Sequence, residues 1–232
     1  MPGPEVVMRA AAIMARIPVP GKVKTRLVPP LTPQQAARLY AGFLRDAIER
    51  LASLDGIQPF VAYTPPAADG FFAGIVPPGF STLPQVGEDL GERLDSVAAT
   101  LFSWGATAVV LCDSDSPTLP GRCIAEAFLR LNDADVVIGP CDDGGYYLIG
   151  TRKHTPRLFS GIPWSSACVT QRTIDTAERL DLSVSLLEPW YDVDTAADLN
   201  RLYLEVAASS KDVNFARHTR RALAGIGLPP QA

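Results

Sequence analysis

A chain of 232 residues, 47% apolar and 20% charged, has the material for one large core or at most two small ones, and excludes extensive disorder. Its net charge of −4 argues against a nucleic-acid partner: the basic runs Lys22-Val23-Lys24-Thr25-Arg26 and Arg217-His218-Thr219-Arg220-Arg221 are short and fit local phosphate contacts. Met1-Pro2-Gly3-Pro4-Glu5 has no basic region, and the apolar run 10–15 between Arg9 and Arg16 is too short for a signal peptide or a membrane span. Cys112, Cys123, Cys141 and Cys168 show no C-x-x-C spacing, so a cytoplasmic protein with reduced thiols and no membrane partner is expected.

The first predicted element is a strand over residues 6–14. It ends at Pro18-Val19-Pro20-Gly21, a loop because Pro removes ladder donors and Gly punctuates turns. Thr32-Pro33 supplies an N-cap followed by Pro at the first helical position. Behind it Ala36, Tyr40, Phe43, Ala47, Ile48 and Leu51 recur at three-to-four spacing, with Arg38, Arg45 and Glu49 elsewhere, which predicts an amphipathic helix. Residues 57–63 read as a strand, and 65 to about 91 as a loop-rich section. A helix over 90–104 leads into 106–112, an unbroken apolar run expected to be a central parallel strand. A helix over 120–131, strands over 136–139 and 146–149, a helix over 169–180 and a strand over 182–187 follow. Closing helices cover about 195–206 and 213–224; their apolar faces suit either an interface or a lid on the core, which leaves the oligomeric state open. The alternation predicts a single α/β domain, a mostly parallel sheet with helices on both faces and ligands at the carboxyl ends of its strands.

Four polar constellations sit just after predicted strands. Asp113-Ser114-Asp115-Ser116-Pro117 delivers two carboxylates to the sheet edge, where they suit a hard cation such as Mg²⁺ or Mn²⁺; as a plain turn the same residues cap and bend the chain. In Asp192-Val193-Asp194-Thr195, capping of the next helix accounts for one acid but not both, and two carboxylate pairs leaving different strands are able to complete one metal shell. Gly21 to Arg26 is not a Walker loop, because Val23 follows Lys22; if extended, Lys22, Lys24 and Arg26 share one side and suit a di- or triphosphate, with a solvated basic loop as the alternative. Asp142-Asp143-Gly144-Gly145 is compatible both with a hairpin turn and with a site. There the glycines admit a ligand to backbone amides, Asp143 or Asp142 binds hydroxyls or takes a proton, and Tyr146 or Trp164 adds an aromatic wall. No nucleophile elbow is present, the two histidines sit in no triad pattern, and Cys112 and Cys141 suit small buried positions.

Pro18 to Leu27, Gly87-Glu88-Asp89-Leu90-Gly91-Glu92-Arg93-Leu94, Asp113 to Pro117, Gly139 to Leu148 and Ile162-Pro163-Trp164-Ser165 together resemble bacterial arsenosugar-biosynthesis-type glycosyltransferases of the nucleotide-diphospho-sugar transferase superfamily, over most of the chain to about Leu199. The resemblance implies a GT-A-like single domain, with a nucleotide-binding half over 1–120, an acceptor half over 121–200 and closing helices over 201–232. Asp115 with Pro117 is similar to the Asp-x-Pro metal site of sugar nucleotidyltransferases and 2-phospholactate guanylyltransferases, and Asp192-Val193-Asp194-Thr195 to their late Asp-x-Asp-Thr. Gly21-Lys22 replaces their glycine-rich, Arg-containing loop.

The expected activity is metal-dependent transfer of a sugar from a nucleoside-diphosphate sugar to a small acceptor. Asp115, Asp113, Asp194 and Asp192 hold Mg²⁺ or Mn²⁺; Gly21, Lys22, Lys24, Arg26 and Arg93 bind the nucleotide phosphates. Asp143 and Asp142 act on the acceptor hydroxyl, and Gly144, Gly145, Tyr146 and Trp164 bind the acceptor. Nucleotidyl transfer with release of pyrophosphate is the alternative, and a non-catalytic nucleotide-binding module is the third reading.

Overall fold

Alternation of small and branched residues on both sides of the first strand decides the architecture. In β1 (Met8–Arg16), Ala11, Ile13 and Ala15 face one core cluster while Ala10 and Ala12 face another, so the strand is buried on both faces. The computed structural model describes residues 8–209, 212 and 214–227; the strand expected over 6–14 and the helix expected over 213–224 therefore fall partly outside the described residues.

Helix α1 (Pro33–Ala52) starts where the sequence places it. Thr32 accepts from Gln35 N, the Gln35 side chain accepts in return from Thr32 N, and Pro33 occupies the first turn. Then come β2 (Gln58–Thr64), the short helix α2 (Asp69–Ala73), β3 (Ser81–Pro84), α3 (Leu90–Ser103), β4 (Ala106–Cys112), α4 (Gly121–Arg130), β5 (Val136–Pro140), β6 (Tyr146–Thr151), α5 (Val169–Arg179), β7 (Val184–Leu186), α6 (Ala196–Ala208) and α7 (Arg217–Ala224). The section expected to be loop from 65 to about 91 thus contains α2 and β3. Four residues ending in Pro84 carry too little pattern to read as a strand, and Pro is tolerated there because β3 is an edge.

One seven-stranded sheet runs in the order β3-β2-β1-β4-β6-β5-β7. All pairings are parallel except those of β6, which lies antiparallel between β4 and β5. The segment 106–112 is central as expected, but it is parallel to β1 alone. α1 and α4 cover one face and α3 and α5 the other. β1 has β2 on one side and β4 on the other, so the strand order reverses there and a crevice opens at their carboxyl ends.

A third layer closes the molecule. α1 buries Leu44, Ala47, Ile48 and Leu51 on the sheet, and its other side, with Ala36, Leu39, Tyr40 and Phe43, packs with Leu199, Leu202 and Val206 of α6 and Ala222 and Leu223 of α7. The closing helices are a lid on the core. The boundary expected between 200 and 201 falls inside α6. No helix among the described residues is long and apolar enough to cross a membrane.

Candidate active site

The basic loop does not run extended. After β1, Val19 N donates to Ile17 O (2.8 Å) and Lys22 N to Val19 O (3.0 Å), Gly21 takes φ 74°, and Lys24 sits in the left-handed region (φ 47°, ψ 42°) before a single 3₁₀ turn, Thr25–Leu27. These turns break the alternation that would have put Lys22, Lys24 and Arg26 on one side. Arg26 is two-thirds exposed, whereas the Lys24 side chain is 4% exposed and points inward.

Two carboxylates meet it there. Lys24 Nζ lies 2.7 Å from Asp115 Oδ1 and 2.7 Å from Asp194 Oδ1, with Arg26 Nη1 at 3.7 Å from Asp194 Oδ2 and the Phe43 ring 5.8 Å away. Burial disfavours the ammonium charge, but the two carboxylates outweigh it and raise the Lys24 pKa. Burial raises the Asp194 carboxyl, and Lys24 and Arg26 together pull it below its ordinary value.

The acidic segment after β4 is held rigidly. Asp113 N donates to Tyr147 O (2.8 Å), and Ser114 Oγ donates to Met14 O (2.9 Å) and touches the Tyr40 hydroxyl (2.8 Å), which itself accepts from Arg16 N (2.9 Å). Arg50 Nη1 reaches the carbonyls of Ser116, Pro117 and Leu119 at 3.1–3.3 Å. Val193 N donates to Asp115 O (3.0 Å), which ties the late acidic segment to the middle one. Capping of α6 is performed by Thr195 with Asp198 in a reciprocal box, so the Asp194 carboxylate is left free to face Lys24. Asp113 lies behind: Ser116 Oγ donates to its Oδ2 (2.8 Å), its Oδ1 is buried without a partner among the described residues, and burial beside Asp115 pushes its pKa up to about 8. Asp192 stands on the other side with Asp143 and Cys141, their ligand atoms within 4.8 Å of one another; burial and the charges of Asp194 and Asp143 push it up to about 7.

The segment Cys141–Gly145 is a hairpin turn whose glycine amides are already used. Gly144 N donates to Cys141 O (3.1 Å) and Gly145 N to Asp143 Oδ1 (2.8 Å), so neither awaits a ligand. Gly144 is required for close approach instead: at φ 91°, a Cβ there would lie 2.0 Å from Ala167 O. Asp142 is engaged by Arg201 (2.7 Å), whose guanidinium lies 3.8 Å from the Tyr191 ring centroid, which leaves Asp143 as the acid of this loop beside Asp192. Tyr146 and Trp164 meet edge to face at 6.3 Å, and both pack on the core beside α3 and α5. With its hydroxyl buried, Tyr146 supports the loop more than it walls an open space.

Beside β1 and β2 a cavity of about 410 Å³ is lined by Arg16, Ile17, Val19, Lys22, Val23, Thr64, Pro65 and Arg93. Arg93 is fixed by donation to Gly87 O (2.9 Å) and Glu88 O (3.1 Å). Among the described residues, Arg16, Lys22 and Arg93 pair with no carboxylate. Arg16, Tyr40 and Arg50 were not among the sequence-derived site residues. Arg16 was legible as a charge ending an apolar strand; Tyr40 and Arg50 sit on α1 at core-like spacing and carry no local signal.

Strand order, crevice and closing layer define a nucleotide-diphospho-sugar transferase-like fold. The crystal structure of a Desulfovibrio desulfuricans G20 protein, provisionally described as a nucleotide-diphospho-sugar transferase, is similar at a TM-score of 0.86, with 37% identity over 95% of this chain and 96% of that one. Residues 47–166 match the model of the family described as "uncharacterized protein conserved in bacteria" (DUF2064), and the chain belongs to that family. The fold alone is shared with CMP:2-keto-3-deoxy-manno-octonic acid synthetase complexed with CTP (TM-score 0.57, 16% identity, 87% of this chain, 99% of that one). The same holds for a cytidylyltransferase from Leptospira borgpetersenii serovar Hardjo-bovis (TM-score 0.56, 16% identity, 87% of each chain). No curated protein matches the chain.

Proposed function

We propose that the protein transfers a sugar from a nucleoside-diphosphate sugar to the hydroxyl of a small acceptor, with Mg²⁺ or Mn²⁺ at Asp115 and Asp194. The observation that carries this reading is the convergence of two carboxylates, from the middle and the late part of the chain, on one cation position, with a basic cavity at the carboxyl ends of β1 and β2. The donor set fits a hard divalent ion: both converging groups are carboxylate oxygens, and they already enclose a positive charge in the Lys24 ammonium. When bound, the metal supplies charge stabilisation for the leaving diphosphate.

The chain's own groups account for the rest. Arg16, Lys22 and Arg93 bind the donor's phosphates, and residues 1–120 form the nucleotide half. In the acceptor half, over 121–200, Asp143 orients the acceptor hydroxyl and takes its proton. The hydroxyl oxygen bonds to the anomeric carbon, the bond from that carbon to phosphate oxygen breaks, and the nucleoside diphosphate leaves with the electron pair. Charge supports a hydroxyl acceptor over a phosphorylated one: Asp143 and Asp192 face this side, and the nearby Arg201 is neutralised by Asp142.

The test is incubation with Mn²⁺ and a panel of radiolabelled sugar nucleotides, following transfer or slow donor hydrolysis. Absence of both with every donor rejects the reading. Nucleotidyl transfer draws support from the three unpaired cations of the cavity, which suit a triphosphate; release of pyrophosphate from a nucleoside triphosphate and a phosphorylated acid selects it. If Asp115→Asn left every partner-binding or cellular phenotype intact, a non-catalytic module would remain.

A further inference from the structure

Lys24 occupies the position that a divalent ion held by Asp115 and Asp194 would take. The ammonium lies 2.7 Å from Asp115 Oδ1 and from Asp194 Oδ1, and an ion bridging the same oxygens at about 2.0–2.1 Å would sit almost on top of it. The side chain is buried against the Phe43 ring, so it is a built part of the site and not a wandering surface lysine. Its flexible four-carbon stem lets Nζ move without the backbone. Lys22 and Val23, which directly precede Lys24 in the chain, line the basic cavity of about 410 Å³.

Resting on the reading of Asp115 and Asp194 as metal ligands, we propose that Lys24 is the resident counter-ion of this pair. It holds the two carboxylates together in the empty enzyme and is exchanged for the divalent ion when donor phosphates draw the ammonium into the cavity. Metal and nucleotide binding are then coupled through one side chain, and the free enzyme is guarded against metal without substrate.

Mn²⁺ binding, measured from the free-Mn²⁺ electron paramagnetic resonance signal, tests this on wild type, Lys24→Met and Asp115→Asn, each with and without ADP, GDP, CDP or UDP. Lys24→Met is expected to bind Mn²⁺ at least about tenfold more tightly than wild type without nucleotide, and to lose the gain that nucleotide gives wild type. A structural lysine predicts the opposite, since its loss would loosen the ligand pair. Acetylation of wild type followed by mass spectrometry gives a reading that does not depend on the folding of Lys24→Met. Lys24 should react far more slowly than Lys22 without metal, and saturating Mn²⁺ should raise its rate at least about tenfold while leaving Lys22 unchanged. Mn²⁺ binding that Asp115→Asn abolishes, but that is equally tight in wild type and Lys24→Met or leaves Lys24 protected, overturns the counter-ion and spares the metal site. No Mn²⁺ binding by wild type or Lys24→Met under any condition overturns both.

Discussion

Lys24 and Asp194 are 170 positions apart in the chain yet share a 2.7 Å contact, so the charge balance of the site is set by residues that no local window joins. Taking an ammonium out of water costs several kcal/mol, and here two carboxylates offset it. Asp115→Asn and Asp194→Asn each remove one charged oxygen from the proposed metal position; sugar transfer should fall by about 10²–10³-fold in the donor-panel assay, the scale of losing one preorganised electrostatic contact. Gly144 is a residue-scale constraint of another kind. Gly144→Ala combines a positive φ with a Cβ 2.0 Å from Ala167 O, and should lower stability by about 1–3 kcal/mol or more in urea titration, through displacement of the loop that carries Asp143.

Helix ends and strand starts are fixed by side chains that satisfy orphan backbone groups. Thr32→Ala removes the capping box of α1 and should cost about 1 kcal/mol, read as a shift in the urea midpoint at unchanged slope. α7 has no side-chain cap of its own; Asp46 of α1 accepts from His218 N (2.9 Å) and Thr219 N (2.8 Å) in its place, which explains a buried acid on a helix otherwise packed with apolar residues. Asp135 ties the start of β5 to β7: its carboxylate accepts from Ser183 N and Oγ and from Arg152, and these bonds pull its pKa down to about 2. A depressed acid contributes stability above its unfolded value near 3.8 and loses it as pH falls toward about 2. Asp135→Asn should therefore lower Tm most at neutral pH, with the gap to wild type closing below pH ~4 in scanning calorimetry.

At the scale of the whole molecule, three layers do separate work. The two faces of the sheet make the core, the strand-order reversal makes the crevice, and α6 and α7 brace α1 from outside. Asp194 sits immediately before the N-cap of α6, so the third layer also sets where the late carboxylate points. Leu202 is fully buried in that layer; Leu202→Ala should cost about 2–5 kcal/mol by denaturant unfolding and should weaken Mn²⁺ binding with nucleotide present, since α6 then holds Asp194 less firmly.

Much of this was legible in the chain itself. Thr32-Pro33 announced α1, the apolar run before Asp113 announced β4, and acids placed after strands announced a cluster of carboxylates at the sheet's carboxyl edge, because capping, burial on both sheet faces and strand-end chemistry all act over a few residues. β3 and α2 were not legible, being too short for periodicity to speak and held by neighbours far away in sequence. Only the tertiary structure turned Lys24 inward while Lys22 stayed at the cavity, assigned Asp142 to Arg201, consumed the Gly144 and Gly145 amides, and set Asp192 beside Asp143 rather than on Lys24. A residue's type fixes which chemistry it can perform. Which partner receives its charge depends on the packing of distant segments, and that is a property of the assembled fold.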